Sequence, residues 1–302
     1  MRDAFISQLT LLAKKDPSIM LITGDLGFGV LDGFAKDFPD QYINAGVAEQ
    51  NMTGIATGLA MEGRKVFTYS IGNFNTLRCL EQIRNDACYH EANVNIVSVG
   101  GGFSYGPLGY SHHATEDLAI MRAIPNCRVF SPTNTWEVEQ IVNNMVNMVG
   151  VNYLRIDKSS APNLNKKNIP FKIGEGRIVK EGKDIAIIAC GGILDLALRA
   201  RELYESKNIS IRVVSIHSIK PFDEKIVIDC AKETGGIITL EEHSKLGGLG
   251  SIVCETFVKN RVLPKKFKMM GLDSKFSTIV GSQDYLRDVN KIGLQSLVDN
   301  IN

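Results

Sequence analysis

GVAEQNMTGIATGLAMEG, residues 46–63, places a single carboxylate, Glu49, where a helix begins and follows it with Gly54, Ala56, Gly58 and Ala60. The spacing predicts a helix over Glu49–Met61. On its own, an acid at a helix start is explained by the positive end of the helix dipole. Small residues on the following turns let a neighbouring element approach closely. The flanking runs QYIN (41–44) and KVFTYS (65–70) are strand-like, so the stretch is the middle of a strand–helix–strand unit.

That rhythm extends in both directions. SIMLIT (18–23) predicts a buried strand. A helix is expected over Asn75–His90, a strand at VNIVSV (94–99), a helix at 115–122, a strand at CRVF (127–130), a helix at 135–148 and a strand at VNYLRI (151–156). After the Asn-, Lys-, Ser- and Pro-rich stretch SSAPNLNKKNIPFKIGEG (159–176) it restarts. Strands are expected at DIAIIAC (184–190), IRVVSI (211–216), GIITLEE (236–242) and FKMMGL (267–272), with helices at 193–206, 223–233 and 248–260. Apolar strands alternating with helices define an α/β fold, a mostly parallel sheet with helices on both faces. The seam predicts two such domains, residues 1–160 and 175–302, joined by a linker at 161–174.

The chain of 302 residues is long enough for two well-buried cores. With 34 basic and 33 acidic residues its net charge is +1, which gives no electrostatic footprint for nucleic acid or an anionic membrane. Its apolar runs are strand-length, far short of a membrane span, and MRDAFISQL has no signal-peptide pattern. Six cysteines without a CxxC pair fit reduced core residues and a cytoplasmic location.

In sheets of this type ligands bind beyond the carboxyl ends of the strands. Four loops meet that description: GDLGFG (24–29), NAGVAEQ (44–50), YSIGNF (69–74) and the 14-residue GGGFSYGPLGYSHH (100–113), whose length is itself a functional signal. Taken singly, each has a structural explanation. GDLGFG lacks dinucleotide and P-loop spacing. Phe74 could belong to the core, Arg78 could be solvated, and His112 and His113 could be satisfied loop residues. No zinc-ligand spacing and no GxSxG elbow is present.

In their order along the chain, however, GVAEQNM, YSIGNFNTLRCLEQIRND, GPLGYSHHATEDLAIMRAIPN, IKPFDEK and LEEHSKLGGLGS closely resemble the C-terminal half of transketolase, and also the matching half of 1-deoxyxylulose-5-phosphate synthase. The resemblance covers nearly the whole chain. It implies a pyrimidine-binding domain followed by a transketolase C-terminal domain. The family's first domain holds the diphosphate and Mg of thiamine diphosphate through a GDG motif followed by Asn. Gly24-Asp25-Leu26 breaks that motif, so no metal site is expected here. The resemblance therefore implies one subunit of a split enzyme, whose partner is a separate N-terminal transketolase chain, with an α2β2 assembly.

The resemblance also assigns roles. Glu49 matches the glutamate that bonds the cofactor's pyrimidine nitrogen and shares a proton with it. His112 matches a histidine that contacts substrate oxygens and the developing alkoxide, with His113 a second candidate. Asp25 matches an aspartate near substrate hydroxyls. The family's aromatic cradle falls on Gly72 and Asn75 in a gapless alignment, so Phe74, one residue off, is expected to stack on the pyrimidine, with Arg78 beside it. Arg2 matches one of two phosphate-gripping arginines. Lys158 stands at the other, and Lys is a point charge rather than a bidentate fork. Gly29, Gly100 and Leu108 replace a serine, a histidine and an aspartate of the substrate end. These departures imply a sugar or sugar phosphate other than the usual pentose phosphates, a modified or nucleotide-linked sugar among them.

The expected reaction is transfer of a two-carbon ketol unit from a ketose to an aldose. Two alternatives stay open: another thiamine diphosphate enzyme, either half of a deoxyxylulose-phosphate synthase or a 2-oxo-acid dehydrogenase β subunit, and a non-catalytic regulatory relative. AEQNM and IKPFDEK favour transketolase, and Glu49 with His112 argues against a non-catalytic chain. His217 and His243 are expected to be structural.

Overall fold

In the computed structural model, residues 1–164, 170–205 and 207–301 are described. The chain runs α1 (Arg2–Ala13), β1 (Ile19–Thr23), α2 (Asp32–Asp37), β2 (Tyr42–Asn44), α3 (Glu49–Met61), β3 (Lys65–Ile71), α4 (Leu80–Gln82), β4 (Val94–Val99), α5 (Asp117–Ala123), β5 (Cys127–Phe130), α6 (Thr135–Met145) and β6 (Val151–Ile156). It continues through β7 (Arg177–Lys180), β8 (Ile185–Ala189), α7 (Leu194–Glu205), β9 (Ile211–Ser215), β10 (Ser218–Lys220), α8 (Glu224–Glu233), β11 (Ile237–Ser244), α9 (Leu249–Asn260), β12 (Phe267–Leu272), α10 (Gln283–Val289) and α11 (Leu294–Ile301).

Two mostly parallel sheets result, ordered β10-β5-β6-β4-β3-β1-β2 and β12-β11-β8-β9-β7. Among the described strand pairs, β10 against β5 and β7 against β9 run antiparallel and the rest parallel. Alternation along each strand sorts side chains into layers. Ile19 and Leu21 of β1 face α1 and α6, whereas Met20 and Ile22 face α3 and α5. This second layer also takes in Ile188 and Val214 of the second sheet and Val227 and Val253 of α8 and α9, so one apolar layer is shared between the sheets. The second sheet buries its other face under α7 and α11.

The α/β architecture and all ten expected strands stand. One expected element does not. Asn75–His90 is not a single helix but a 3₁₀ turn at Leu77–Cys79, the short α4, and a π-helical segment at Ile83–Cys88. The cause lies at the start. The buried Asn75 amide donates to the Val97 carbonyl at 3.0 Å, and the Thr76 hydroxyl to the Gly72 carbonyl at 2.7 Å. Asn and Thr side chains here compete with the helix for backbone partners. The expected linker is described on either side of residues 165–169, which lie outside the described residues, as does residue 206 at the end of the expected 193–206 helix.

Five stretches go beyond what the sequence pattern predicts, the short α2 and β7 among them. In α1, Phe5, Leu9 and Ala13 repeat every fourth residue and bury one stripe. Residues 283–301 form α10 and α11. The three-residue β10 leaves the second half of the chain to close the edge of the first sheet. Among the described residues, no helix is long and apolar enough to cross a membrane.

Candidate active site

Glu49 opens α3 after Ala48, which gives no side-chain cap, and is 1% exposed. Its Oε2 accepts from Arg78 Nη1 at 2.8 Å, while Oε1 has no hydrogen-bond partner among the described residues. The Arg78 guanidinium carbon lies 4.3 Å from the centroid of the Phe74 ring. The His112 ring meets Phe74 edge-on, centroids 5.1 Å apart at 67°. Four residues from two distant loops and a helix start thus form one continuous set of contacts.

Local chemistry explains why they meet. Gly72 lies so close to Ala114 that a β-carbon would approach the Ala114 Cβ to 2.5 Å, which brings the end of β3 against the loop that carries His112. The Asn73 amide donates to the carbonyls of Ser111 at 3.2 Å and His113 at 3.0 Å, and so ties that loop down. The same loop is anchored from the second sheet: the Glu242 carboxylate accepts from the Phe103 N–H and is paired with Arg287. Gly102 makes the approach possible, since its φ of +58 favours glycine and a side chain there would strike Glu242. Burial raises the Glu242 carboxyl above its ordinary value, and the Arg287 charge opposes that shift.

The two histidines differ. His112 is partly exposed, with Nδ1 3.1 Å from the Ser111 hydroxyl. Burial, and then the nearby His113 and Arg78, lower its pKa, so it is neutral at pH 7. His113 is buried, Nε2 3.1 Å from the Gly106 carbonyl and its ring edge-on to Phe103 at 5.1 Å. Asp25 adopts a φ of +57 and exchanges hydrogen bonds of 3.0 Å with Asn44, one residue from Gly24, which packs over Glu49.

Arg2 and Lys158 line a separate cleft of about 170 Å³ with Tyr105. A cleft of about 470 Å³ shares Phe74, Arg78 and His113 with the site, but neither Glu49 nor His112 lines it. We therefore centre the site on the Glu49–Arg78–Phe74–His112 contacts and not on that cleft. Gly72, Phe74, Arg78, Glu49 and His112 are brought together, while Arg2 and Lys158 form a second group linked to the first through Tyr105. Sequence patterns do not single out Asn73 or Tyr105. The aromatic inside a glycine-rich loop was the available signal for Tyr105. Nothing in the sequence marks Asn73. Among the described residues no three His, Cys, Asp or Glu side chains converge as metal ligands.

Residues 1–163 match the transketolase pyrimidine-binding domain model, and residues 174–283 match the transketolase C-terminal domain model. The chain belongs to the transketolase family. It is 37% identical over 263 residues to an apulose-4-phosphate transketolase subunit of Phocaeicola vulgatus, covering 86% of this chain and 84% of that one. It is 32% identical over 295 residues to a 6-deoxy-6-sulfo-D-fructose transketolase subunit of a Clostridium species, covering 97% and 90%. A solved structure described as a split gene transketolase, inactive beta4 tetramer, superposes with a TM-score of 0.90 at 34% identity, over 99% of this chain and 96% of that one. Within the family, this chain is the C-terminal subunit of a split transketolase.

Proposed function

We propose that this chain supplies the pyrimidine-side half of a thiamine diphosphate-dependent transketolase, and that a separate N-terminal chain supplies the diphosphate and Mg site. The observation that carries the reading is Glu49. It is a buried carboxylate at a helix start with one oxygen fixed by Arg78 and the other unpartnered among the described residues, beside an aromatic ring. These residues fit the aminopyrimidine: a carboxyl oxygen for a ring nitrogen, and Phe74 for the ring face. When bound, the cofactor supplies the carbon nucleophile and electron sink for cleavage beside a ketose carbonyl.

The chain's own residues have three tasks. Glu49 holds a proton at Oε1 toward the ring nitrogen, with Arg78 fixing its other oxygen. Phe74 orients the ring, and the turn at Gly72 and Asn73 sets its position. His112, neutral and held at Nδ1 by Ser111, presents Nε2 to substrate oxygens, where it donates or accepts a proton. Asp25 bonds substrate hydroxyls, with His113 behind the loop. The Arg78 side chain reaches solvent beside the buried Glu49, which supports completion by another chain. The solved relative, described as an inactive beta4 tetramer, supports the need for a partner, and an α2β2 complex of two chains of each kind is the assembly we assign. The domains are residues 1–160 and 175–302.

The names of the two relatives point to ketoses with a phosphate or a sulfonate at the far end. We assign such a ketose as donor, its anion held by Arg2 and Lys158, and an aldose as acceptor. The test is calorimetric: thiamine diphosphate with Mg²⁺ is titrated into the chain alone and into its complex with the N-terminal subunit. Saturable binding only in the complex is expected. Tight binding to the isolated chain would overturn the division of the site.

A further inference from the structure

Tyr105 lies between the two groups of candidate residues. On one side its ring is 6.3 Å from the His112 ring, inclined at 70°. On the other, Lys158 Nζ sits 4.4 Å from its centroid. The ring also fills the space over Gly100: the φ there is +92, and a β-carbon would run into the Tyr105 ring. Position 100 therefore offers no side chain, and Tyr105 takes its volume.

The cleft beyond this ring is lined by Arg2 and Lys158 and by two carboxylates, Asp3 and Asp157, both of which are already engaged. Among the described residues no carboxylate pairs with Lys158. Asp157, beside it, is already engaged by Arg155 Nε at 3.2 Å and by the Gly192 N–H at 2.8 Å. Arg2 pairs only with Asp3 at 3.2 Å among the described residues, in a largely exposed contact of the kind that contributes little. The Tyr105 hydroxyl has no hydrogen-bond partner among the described residues. Burial raises its pKa, so the hydroxyl stays protonated and can donate. Two cations, two engaged carboxylates and one free donor thus line a space of about 170 Å³, well below the ~300 Å³ at which pockets for drug-sized ligands begin.

Resting on the transketolase reading, we propose that Tyr105 is a specificity-determining residue. It walls the path from His112 to Arg2 and Lys158, and donates its hydroxyl to a small terminal oxyanion, phosphate or sulfonate, on a short ketose. The phenyl face stacked under Lys158 holds that ammonium group toward the anion.

Two measurements test this in the complex with the N-terminal subunit. In the first, 3-fluorotyrosine is incorporated and its ¹⁹F resonances are followed while inorganic phosphate, then inorganic sulfate, is added. The Tyr105 signal is assigned by its loss in Tyr105→Phe. A saturable shift of that signal is expected, and its absence at high phosphate and sulfate overturns the proposal. In the second, fructose 6-phosphate, 6-deoxy-6-sulfofructose and fructose are compared as donors. Tyr105→Phe is expected to raise KM roughly 10-fold for the anionic ketoses that wild type uses, as loss of a hydrogen bond to a charged group does, with kcat and the response to fructose unchanged. The phosphate and sulfonate arms show which anion the cleft serves. An unchanged KM, or an equal change for all three donors, overturns the role of Tyr105. A complex that shows the ¹⁹F shift but transfers from no ketose would instead overturn the proposed reaction and leave the anion site standing.

Discussion

Arg78 Nη1 and Glu49 Oε2 are 2.8 Å apart, and the two side chains differ sharply in exposure, 45% against 1%. The ion pair therefore spans the wall of the site: its acid is sealed in and its base reaches solvent. Because Arg78 also lies on Phe74, one guanidinium couples the carboxylate to the aromatic ring. Replacing Glu49 with Gln keeps the shape and a hydrogen bond but removes the proton that Oε1 would share. We expect Glu49→Gln to fold as wild type and to lose about 10²- to 10⁴-fold in kcat, the usual range for a placed acid or base. Turnover within a few-fold of wild type, with the melting temperature unchanged, would remove Glu49 from that role.

The pH dependence follows from His112. Burial, the neighbouring His113 and the Arg78 charge all disfavour its cation and lower its pKa below the ordinary histidine value of about 6.5. In the role proposed for His112 the active form is the neutral one, so it is fully present above pH 6.5 and is lost as pH falls through the lowered value. The acid limb of kcat/KM should therefore lie below pH 6.5 and should be absent in His112→Asn. A limb centred above 6.5 in wild type would contradict the geometry.

Glu49, Phe74 and His112, which the fold brings into one set of contacts, could be singled out from the chain as candidates because each stands in a local pattern whose order is specific: AEQ before a small-residue helix, the end of a β-rich run, and a histidine pair before EDLAIMR. The strands were legible for a similar reason, since buried parallel strands are near-continuous apolar runs. What was not legible depends on contacts between distant segments. The break at Asn75 needs the Val97 carbonyl, and the edge position of β10 needs β5. The grouping of Arg2 with Lys158 through Tyr105 needs the fold to bring residues 2, 105 and 158 together.

Gly72 offers a sharper check on how the His112 loop is placed. Its neighbour Ala114 leaves no room for even one methyl group, with a β-carbon coming within 2.5 Å. Gly72 directly follows β3 and Ala114 is bridged to Gly102, so the added volume has to push the loop away from β3. Overpacking of this kind costs about 1–3 kcal/mol. Gly72→Ala should lower stability by about that amount in urea titration. It should also lower kcat/KM through the altered distance between Phe74 and His112. Full stability together with full activity would show that the loop can yield.

The last prediction concerns the second domain, which carries no residue in the constellation yet holds its loop. Glu242, on β11, accepts from the Phe103 N–H, from Gln283 Nε2 at 2.9 and 3.1 Å, and from Arg287, whose side chain is nearly as buried as its own. Arg287 in turn donates to the Ser159 hydroxyl at 3.0 Å and so reaches the chain that leads out of β6. Arg287→Met would keep the bulk but strand the Glu242 charge in the interior, where loss of one partner of a buried pair costs about 3–5 kcal/mol. Burial already raises the Glu242 pKa, so without Arg287 the carboxyl should rise further and take up a proton. A folded pKa above the unfolded one means that the folded state binds more protons. Stability of Arg287→Met should therefore be closest to wild type at low pH, and the deficit should widen as pH rises toward 8. The double variant Arg287→Met with Glu242→Gln removes the stranded charge and should recover part of the loss at pH 8. Chemical denaturation of the three proteins at pH 5.5 and pH 8 decides the matter. A deficit in Arg287→Met that is independent of pH and not relieved by Glu242→Gln would mean that Arg287 acts through packing alone.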